Sequence, residues 1–463
     1  MKLTVLGGGG VRMPAFVRAV LVGGSHHFDQ ICLLEPDEFR RDTIGRLAVE
    51  LAAALGRPGV VTVTADATQA LTGADFVFSA IRVGGDRGRV IDEQVALRRG
   101  LVGQETTGPG GCAMALRTIP VVLSYCELLS RVAPDATLIN FTNPAGLITQ
   151  AISRQGAIRA VGVCDTPGGT AEHLAAFLGA DPAAAEFGYS GLNHLGWITS
   201  AAVHGEERIG ELISRFEELQ AYDHRFSAFD PALIRRVGAL PTEYVYFYYD
   251  PQRYVRGVTT SGASRGQDIE HLNAELLAAI AKGFDGGGVE DAWSAYSQVL
   301  AVRRDTYMRT DMHGDSGQAA ARARQESAQQ PPIGAAGIGG YEGLALRVID
   351  GLTGKLPGRV IVNIRNDGSI PPLADDDIVE IPAQVSPAGL VPLPVPDLPS
   401  PAQALVEQVK EYERAAVEAA MTGDAELAAV ALALHPLVPG STVARELLAE
   451  YRDQHGDSLA YLR

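Results

Sequence analysis

Cysteine is scarce in this chain. Four in 463 residues, at positions 32, 112, 126 and 164, are too few and too scattered for a disulfide scaffold. That usage fits a reducing compartment, and a cytoplasmic protein is expected. Positive charge is also in deficit, with 39 Lys and Arg against 55 Asp and Glu, a formal net charge of −16. A field of that sign disfavours nucleic acid and anionic membranes as partners. It does not prevent a few local arginines from holding a small anion. No apolar run approaches the ~20 residues that a membrane helix needs. The first residues enter a strand instead of a basic stretch, an apolar core and a cleavage site, so no secretory signal is expected. No internal repeat is found. What remains is a globular composition, 46% hydrophobic and 20% charged, with length enough for two closely packed domains.

The chain opens on MKLTVLGGGGVRMP. Residues 2–6 read as a short buried strand, and a helical pattern resumes near Pro14. Between them Gly7, Gly8, Gly9 and Gly10 let the backbone approach a pyrophosphate at a helix N-terminus. A second apolar strand, 31–34, ends in Glu35, placed to accept hydrogen bonds from ribose hydroxyls. The third glycine of GxGxxG is missing, because Val11 and Arg12 follow Gly10. Alone the run would be a tight turn; with strand, helix and acid in register it reads as a dinucleotide site.

Over the first 200 residues strand-like segments (3–6, 31–34, 60–63, 76–80, 137–141, 160–163) alternate with helical ones such as 38–55 and 117–132. The alternation predicts an α/β fold, a Rossmann-like doubly wound parallel sheet with ligands outside the strands' carboxyl ends. Residues 1–195 form the expected nucleotide-binding domain. Residues 196–463 form a mainly helical α+β domain for substrate, catalysis and oligomerisation, with one strand-rich island near 359–381. The Gly/Ala/Gln-rich stretch 318–340 reads as a mobile loop bordering the site. The proline-rich segment 392–401 reads as an extended surface connection.

Several polar motifs fall at strand ends. Cys164 and His194 are competent ligands for a first-row metal, and two protein ligands leave positions open for substrate and water. A lone cysteine or histidine serves packing equally well. Asn140 and Asn143, in NFTNPAG, hold sugar or nicotinamide hydroxyls, or satisfy their own turn. The glycine-walled loop GQETTGPGG (103–111) orders a ligand or caps a helix that starts near Met114. Tyr244 opens an aromatic run, 244–249, that reads as core unless a neighbouring metal makes the phenol a base. Arg82, Arg87 and Arg89 form a guanidinium cluster for an anion, or are solvated surface charges.

Taken together, IRVGG (81–85), DEQVALRRGLVGQETTGPGG (92–111), ALRTIP (115–120), INFTNPAG (139–146), VGVCDTP (161–167), GLNHLGW (191–197), EYVYFYY (243–249) and VNIRNDGSI (362–370) resemble glycoside hydrolase family 4. The resemblance is strongest to its 6-phospho-β-glucosidase branch and spans most of the chain in the family's order. It implies an NAD- and divalent-metal-dependent glycosidase, typically using Mn²⁺, outside the usual two-carboxylate scheme. The implied chemistry oxidises the C3 hydroxyl with NAD, removes the acidified C2 proton, eliminates the aglycone, adds water and reduces C3 again. By motif, the resemblance makes Cys164 and His194 the metal ligands and Tyr244 the C2 base. Gly7, Gly8, Gly9, Gly10, Glu35 and Asn140 would hold NAD, and Asn143 the sugar near the metal. Glu105 would hold metal-bound water, and Arg89 the substrate phosphate. A homodimer or homotetramer is implied as well.

The chain departs from the branch at three places. Asp165 stands where an asparagine is usual; in the phospho-α-glucosidase branch an aspartate there is linked with protonating the leaving group. The glycine run continues as Gly10-Val11-Arg12, and Ile338 replaces an arginine. The alternative substrates are therefore α-linked or unphosphorylated glycosides, and the alternative activity is that of an NAD-dependent 2-hydroxyacid dehydrogenase.

Overall fold

The computed structural model describes residues 1–23, 28–308, 333–334 and 340–463. Most of the stretch expected as a loop at 318–340, including Ile338, lies outside the described residues. Six strands follow the alternation read from the sequence: β1 (Lys2–Leu6), β2 (Gln30–Leu34), β3 (Val61–Thr64), β4 (Phe76–Ser79), β5 (Thr137–Asn140) and β6 (Arg159–Gly162). Every pairing among them is parallel, in the order β3-β2-β1-β4-β5-β6. Strand order reverses between β1 and β4, and a crevice for ligand opens at such a switch point. Helices cover both faces, so β4 (FVFS) is buried at every position and is apolar at its first three.

The second half differs from expectation. It contributes an antiparallel extension of the same sheet: β7 (Ala185–Leu192), β8 (Leu195–Val203), β9 (Glu206–Glu207), β10 (Leu240–Pro241), β11 (Gly358–Arg365), β12 (Ile378–Ser386) and β13 (Gly389–Pro392). Strand β11 pairs with β6 at Asn363–Gly162 and with β12 along its length, and β12 joins the β7–β8 hairpin. One 13-stranded sheet thus runs through both halves. The expected division at residue 195 falls at the turn of the β7–β8 hairpin. GLNHL, expected as a polar break, is that turn. The hairpin escaped the sequence reading because β7 is buried on both faces from Phe187 onward and shows no alternation of period two.

The helix expected near Met114 begins at Pro109 and runs to Val132. Proline suits a first helical turn because its missing N–H is not needed there. This helix is long and apolar enough to cross a membrane, but 61% of its most apolar window is buried inside the fold. It packs between the helices Gly85–Leu97 and Ser400–Thr422, which accounts for its composition.

Candidate active site

A cavity of about 1630 Å³ opens where β1, β4, β5 and β6 end. Its first end is the glycine turn. Gly7 has φ +83°, and a Cβ there would lie 2.7 Å from the Ala80 carbonyl oxygen. Gly7 and Gly10 reach the cavity, with Val11, Arg12 and Met13 of the following helical start. Gly8 and Gly9, also expected to hold NAD, are not among the lining residues and pack on Leu33 and Glu35, where added Cβ atoms would fall 2.5 Å from Leu33 Cβ and 2.6 Å from Glu35 Cγ. Gly9 N–H donates to Glu35 Oε2 (2.9 Å), and Asp37 N–H donates to Oε1 (3.0 Å). Each carboxylate oxygen keeps a second lone pair for a ribose hydroxyl. The bare backbone, helix start and oriented acid fit a dinucleotide.

The two asparagines part company. Asn140 is fully buried and does not line the cavity. Its Nδ2 donates to Thr149 Oγ1 (3.1 Å) and to the carbonyls of Thr142 and Ala145, while Oδ1 accepts from Thr142 N–H. The amide is spent on its own turn, so Asn140 braces that turn and Asn143 faces the cavity.

Cys164 and His194 both line the cavity. Cys164 caps the helix Asp165–Phe177, with Asp165 beside it on the cavity wall. Burial pushes the Cys164 thiol well above its usual range, and the charges of Glu380 and Asp165 add to this. His194 sits in the hairpin turn at φ +62°. Burial lowers its pKa to about 4, against the pull of Glu105, so the ring is neutral at pH 7. Its ring stacks on Tyr244 at a centroid distance of 3.7 Å and an angle of 2°. Among the described residues no group of three or more His, Cys, Asp or Glu could hold a metal. A cation here would take two protein ligands, thiolate and imidazole, and leave its other positions to substrate and water. The donor set fits a first-row divalent metal.

Tyr244 lies on a short turn, Glu243–Val245, and is 7% exposed. The Tyr307 hydroxyl stands 3.1 Å from its hydroxyl and 3.2 Å from Glu243 Oε1. Burial pushes the Tyr244 phenol well above its ordinary value; the Tyr307 hydrogen bond opposes this, and Cys164, Glu105 and Glu243 reinforce it. The phenol is therefore neutral unless positive charge comes beside it. Tyr307 carried no sequence signal, since it belongs to no motif.

One wall of the cavity is basic. Arg82 Nη1 meets Glu105 Oε2 at 2.6 Å, Arg89 Nη1 meets Glu105 Oε1 at 3.1 Å, and Arg89 Nε meets Glu93 Oε1 at 2.8 Å. Burial alone would raise the Glu105 pKa, but the two arginines override it and hold the carboxyl at about 2. Glu105 is thus clamped between guanidinium groups, and Arg89 bridges two carboxylates. Arg265 and Arg303, which the sequence reading missed, join them on the wall. Arg303 donates to Asn273 Oδ1 (2.6 Å), and Arg265 donates to Thr306 Oγ1 (3.0 Å) and the Arg303 carbonyl (2.9 Å). Burial pushes the Arg303 pKa well down, and repulsion from Arg12, Arg89, Arg82 and Arg265 lowers it further. Like charges gathered at a cavity wall form a site for a phosphate-like anion.

Glu380 gives a test of the site's electrostatics. It is 1% exposed on β12, and accepts from Asn363 Nδ2 (2.8 Å), Asn193 Nδ2 (3.3 Å) and the Tyr189 hydroxyl (2.8 Å). Burial raises its pKa to about 7, against those three donors and with help from Asp165. An unfolded glutamate titrates near 4.3, so in that window the folded state binds more protons and stability falls as pH rises. Glu380→Gln can keep its oxygen on the asparagines and turn its NH₂ to Tyr189. It is expected to stabilise the protein at about pH 8 by on the order of 2–3 kcal/mol. The gain should vanish near pH 4, as urea unfolding at the two pH values would read. A variant destabilised equally at both would contradict this assignment.

Comparison with known proteins places the chain. A family model described as family 4 glycosyl hydrolase matches residues 2–180, and that of the family's C-terminal domain matches residues 189–438. The chain is 29% identical over 467 residues to a probable 6-phospho-β-glucosidase of Bacillus subtilis, covering 98% of this chain and 96% of the relative. A maltose-6′-phosphate glucosidase of the same organism is 26% identical, with 98% and 96% covered. The solved 6-phospho-β-glucosidase of Thermotoga maritima, with manganese, NAD⁺ and glucose-6-phosphate, superposes with a TM-score of 0.77 at 25% identity, over 98% of both chains.

Proposed function

The chain belongs to glycosyl hydrolase family 4, and on that premise we propose that it hydrolyses 6-phospho-β-glucosides with bound NAD and a divalent metal, in the family's oxidation–elimination manner. The observation that carries this reading is the continuity of one cavity. Its walls bring together the glycine turn and Glu35, Cys164, His194 and Tyr244, and the cluster of Arg82, Arg89, Arg265 and Arg303. NAD held at the glycine turn and Glu35 would supply hydride transfer at C3, and a divalent metal held by Cys164 and His194 would offset developing negative charge and favour the Tyr244 phenolate.

The chain's own groups do the rest. The arginine cluster holds the 6-phosphate and so fixes which face of the sugar meets the nicotinamide. Asn143 orients the ring. Tyr244 takes the C2 proton, and the Tyr307 hydroxyl supports the phenolate by donating to it. The hydrolase family argues against the 2-hydroxyacid dehydrogenase alternative. Asp165 on the cavity wall favours a second reading, α-linked substrates with Asp165 protonating the leaving oxygen.

The two readings separate on p-nitrophenyl glucosides offered as β- and α-anomers, each with and without the 6-phosphate, in NAD and Mn²⁺. The proposal expects release from the phosphorylated β-anomer, lost with chelator; turnover of the α-anomer alone would transfer the mechanism to α-substrates. Arg303→Ala is expected to raise KM for the phosphorylated substrate by roughly 10-fold or more, the value of one charge-assisted bond of about 1.5–3 kcal/mol. It should leave the unphosphorylated substrate's KM within about twofold. Equal losses on both would remove Arg303 from the phosphate site.

A further inference from the structure

We propose that Gln104 and Thr106 form a hydrogen-bond relay that fixes the tautomer of His194, keeping the proton on Nδ1 so that Nε2 presents its lone pair to the metal. The proposal rests on reading His194 as a metal ligand, but its structural part stands apart from that reading. Gln104 Oε1 lies 2.6 Å from Thr106 N and 2.7 Å from Thr107 N. Both backbone groups are obligate donors, so the atom facing them is the amide oxygen and not the NH₂. The same oxygen lies 2.9 Å from Thr106 Oγ1. Of these two oxygens only the threonine hydroxyl carries a proton, and in the relay it donates that proton to the amide oxygen. With its single proton committed to Gln104, Thr106 Oγ1 meets His194 Nδ1 at 2.8 Å as an acceptor. The proton in that bond therefore belongs to the imidazole. A neutral ring with its proton on Nδ1 has none on Nε2, and Nε2 makes no hydrogen bond to any described residue.

The loop that carries the relay is held firmly. Its Gly103 carbonyl accepts from the Tyr254 hydroxyl (2.6 Å). Gly110 and Gly111, which read as loop in the sequence, are the first turn of the helix Pro109–Val132. Cβ atoms there would fall 2.4 Å from the Gln104 and Thr106 carbonyl oxygens, so the loop backbone rests directly on the two glycines. Gln104, Thr106 and His194 are all buried, at 6%, 8% and 6% exposure. Metal-binding imidazoles are commonly oriented through their other N–H, which also raises the basicity of the ligating nitrogen. Here the partner is a hydroxyl whose own proton is pinned by an amide. Gln104 and Thr106 are positioning residues that act through His194.

The test begins on wild-type protein without metal, labelled with ring-¹⁵N histidine, with the His194 signals assigned by their loss in His194→Gln. A neutral ring with the proton on Nδ1 is expected; a proton on Nε2 overturns the relay. Thr106→Val should then shift the ring toward the other tautomer and weaken Mn²⁺ binding, read by electron paramagnetic resonance, by about 10–100-fold. Thr106→Ser should keep both properties. NAD affinity is the folding control: if Thr106→Val loses it, the wild-type ring and the serine variant decide. Mn²⁺ affinity within twofold of wild type in a folded Thr106→Val would overturn the relay's role. The Nδ1–H tautomer in a wild-type protein that binds no Mn²⁺ would refute the metal reading and leave the relay standing.

Discussion

Cys164→Ser is expected to abolish useful turnover while leaving the fold and NAD binding intact. In the proposed function Cys164 and His194 are the two protein donors to the cation, and both line the cavity. A serine hydroxyl does not ionise to replace a thiolate, so the variant forfeits most of the several kcal/mol of charge stabilisation that a Lewis acid supplies. At about 1.4 kcal/mol per decade this is a loss of roughly 10³-fold or more in kcat/KM. The loss should appear in a Mn²⁺ titration as well as in rate, with NAD affinity unchanged. Burial also sets a pH signature. The Cys164 thiol, pushed well up, must release its proton to bind metal, whereas His194, at about 4, is already neutral. Mn²⁺ affinity should therefore fall by about tenfold per pH unit on acidification from neutrality to about pH 5, the slope of one released proton. A variant within tenfold of wild-type activity, or a metal affinity flat across that range, would remove the thiolate from the centre.

Tyr244→Phe carries the second large effect. Removing a general base costs about 10²–10⁴-fold, and here the loss should be confined to one step. The glycine turn, Glu35 and the arginine cluster are untouched, so substrate should still bind and be oxidised at C3. Mixing the variant with NAD, Mn²⁺ and substrate should build up the absorbance of reduced nicotinamide on the protein without release of the aglycone. His194 packs flat against the Tyr244 ring, and phenylalanine preserves that stack, so the metal site should survive. Fast aglycone release by the variant would give the C2 proton to another group, and Tyr307, 3.1 Å away, would be examined first.

The parallel half of the fold was legible because its strands are short apolar runs separated by amphipathic helices, and each observed strand lies within a residue or so of its expected place. The β7–β8 hairpin was not legible. Burial on both faces removed its alternation, and its turn, Asn193-His194, looked like a loop that happened to hold a histidine. Gly110 and Gly111 likewise read as loop, although their missing side chains are what let QETT lie on a helix. At the site, Cys164, His194, Tyr244 and Glu35 stand in motifs, and the fold brings them to one cavity. Asn140 shows the limit of motif reading, since an amide that binds a ligand and one that braces its own turn have the same sequence. Arg265, Arg303 and Tyr307 lie more than 100 residues from the strand ends they complete. Only tertiary packing joins them to the site.

The most direct measurement is hydrolysis of p-nitrophenyl β-D-glucoside 6-phosphate in D₂O with NAD and Mn²⁺, followed by NMR of the glucose 6-phosphate formed. Removal of the C2 proton by Tyr244 and its return from solvent predict deuterium at C2 of the product with no net formation of NADH. Product that keeps its original C2 hydrogen would contradict the oxidation–elimination account, whatever its rate of formation.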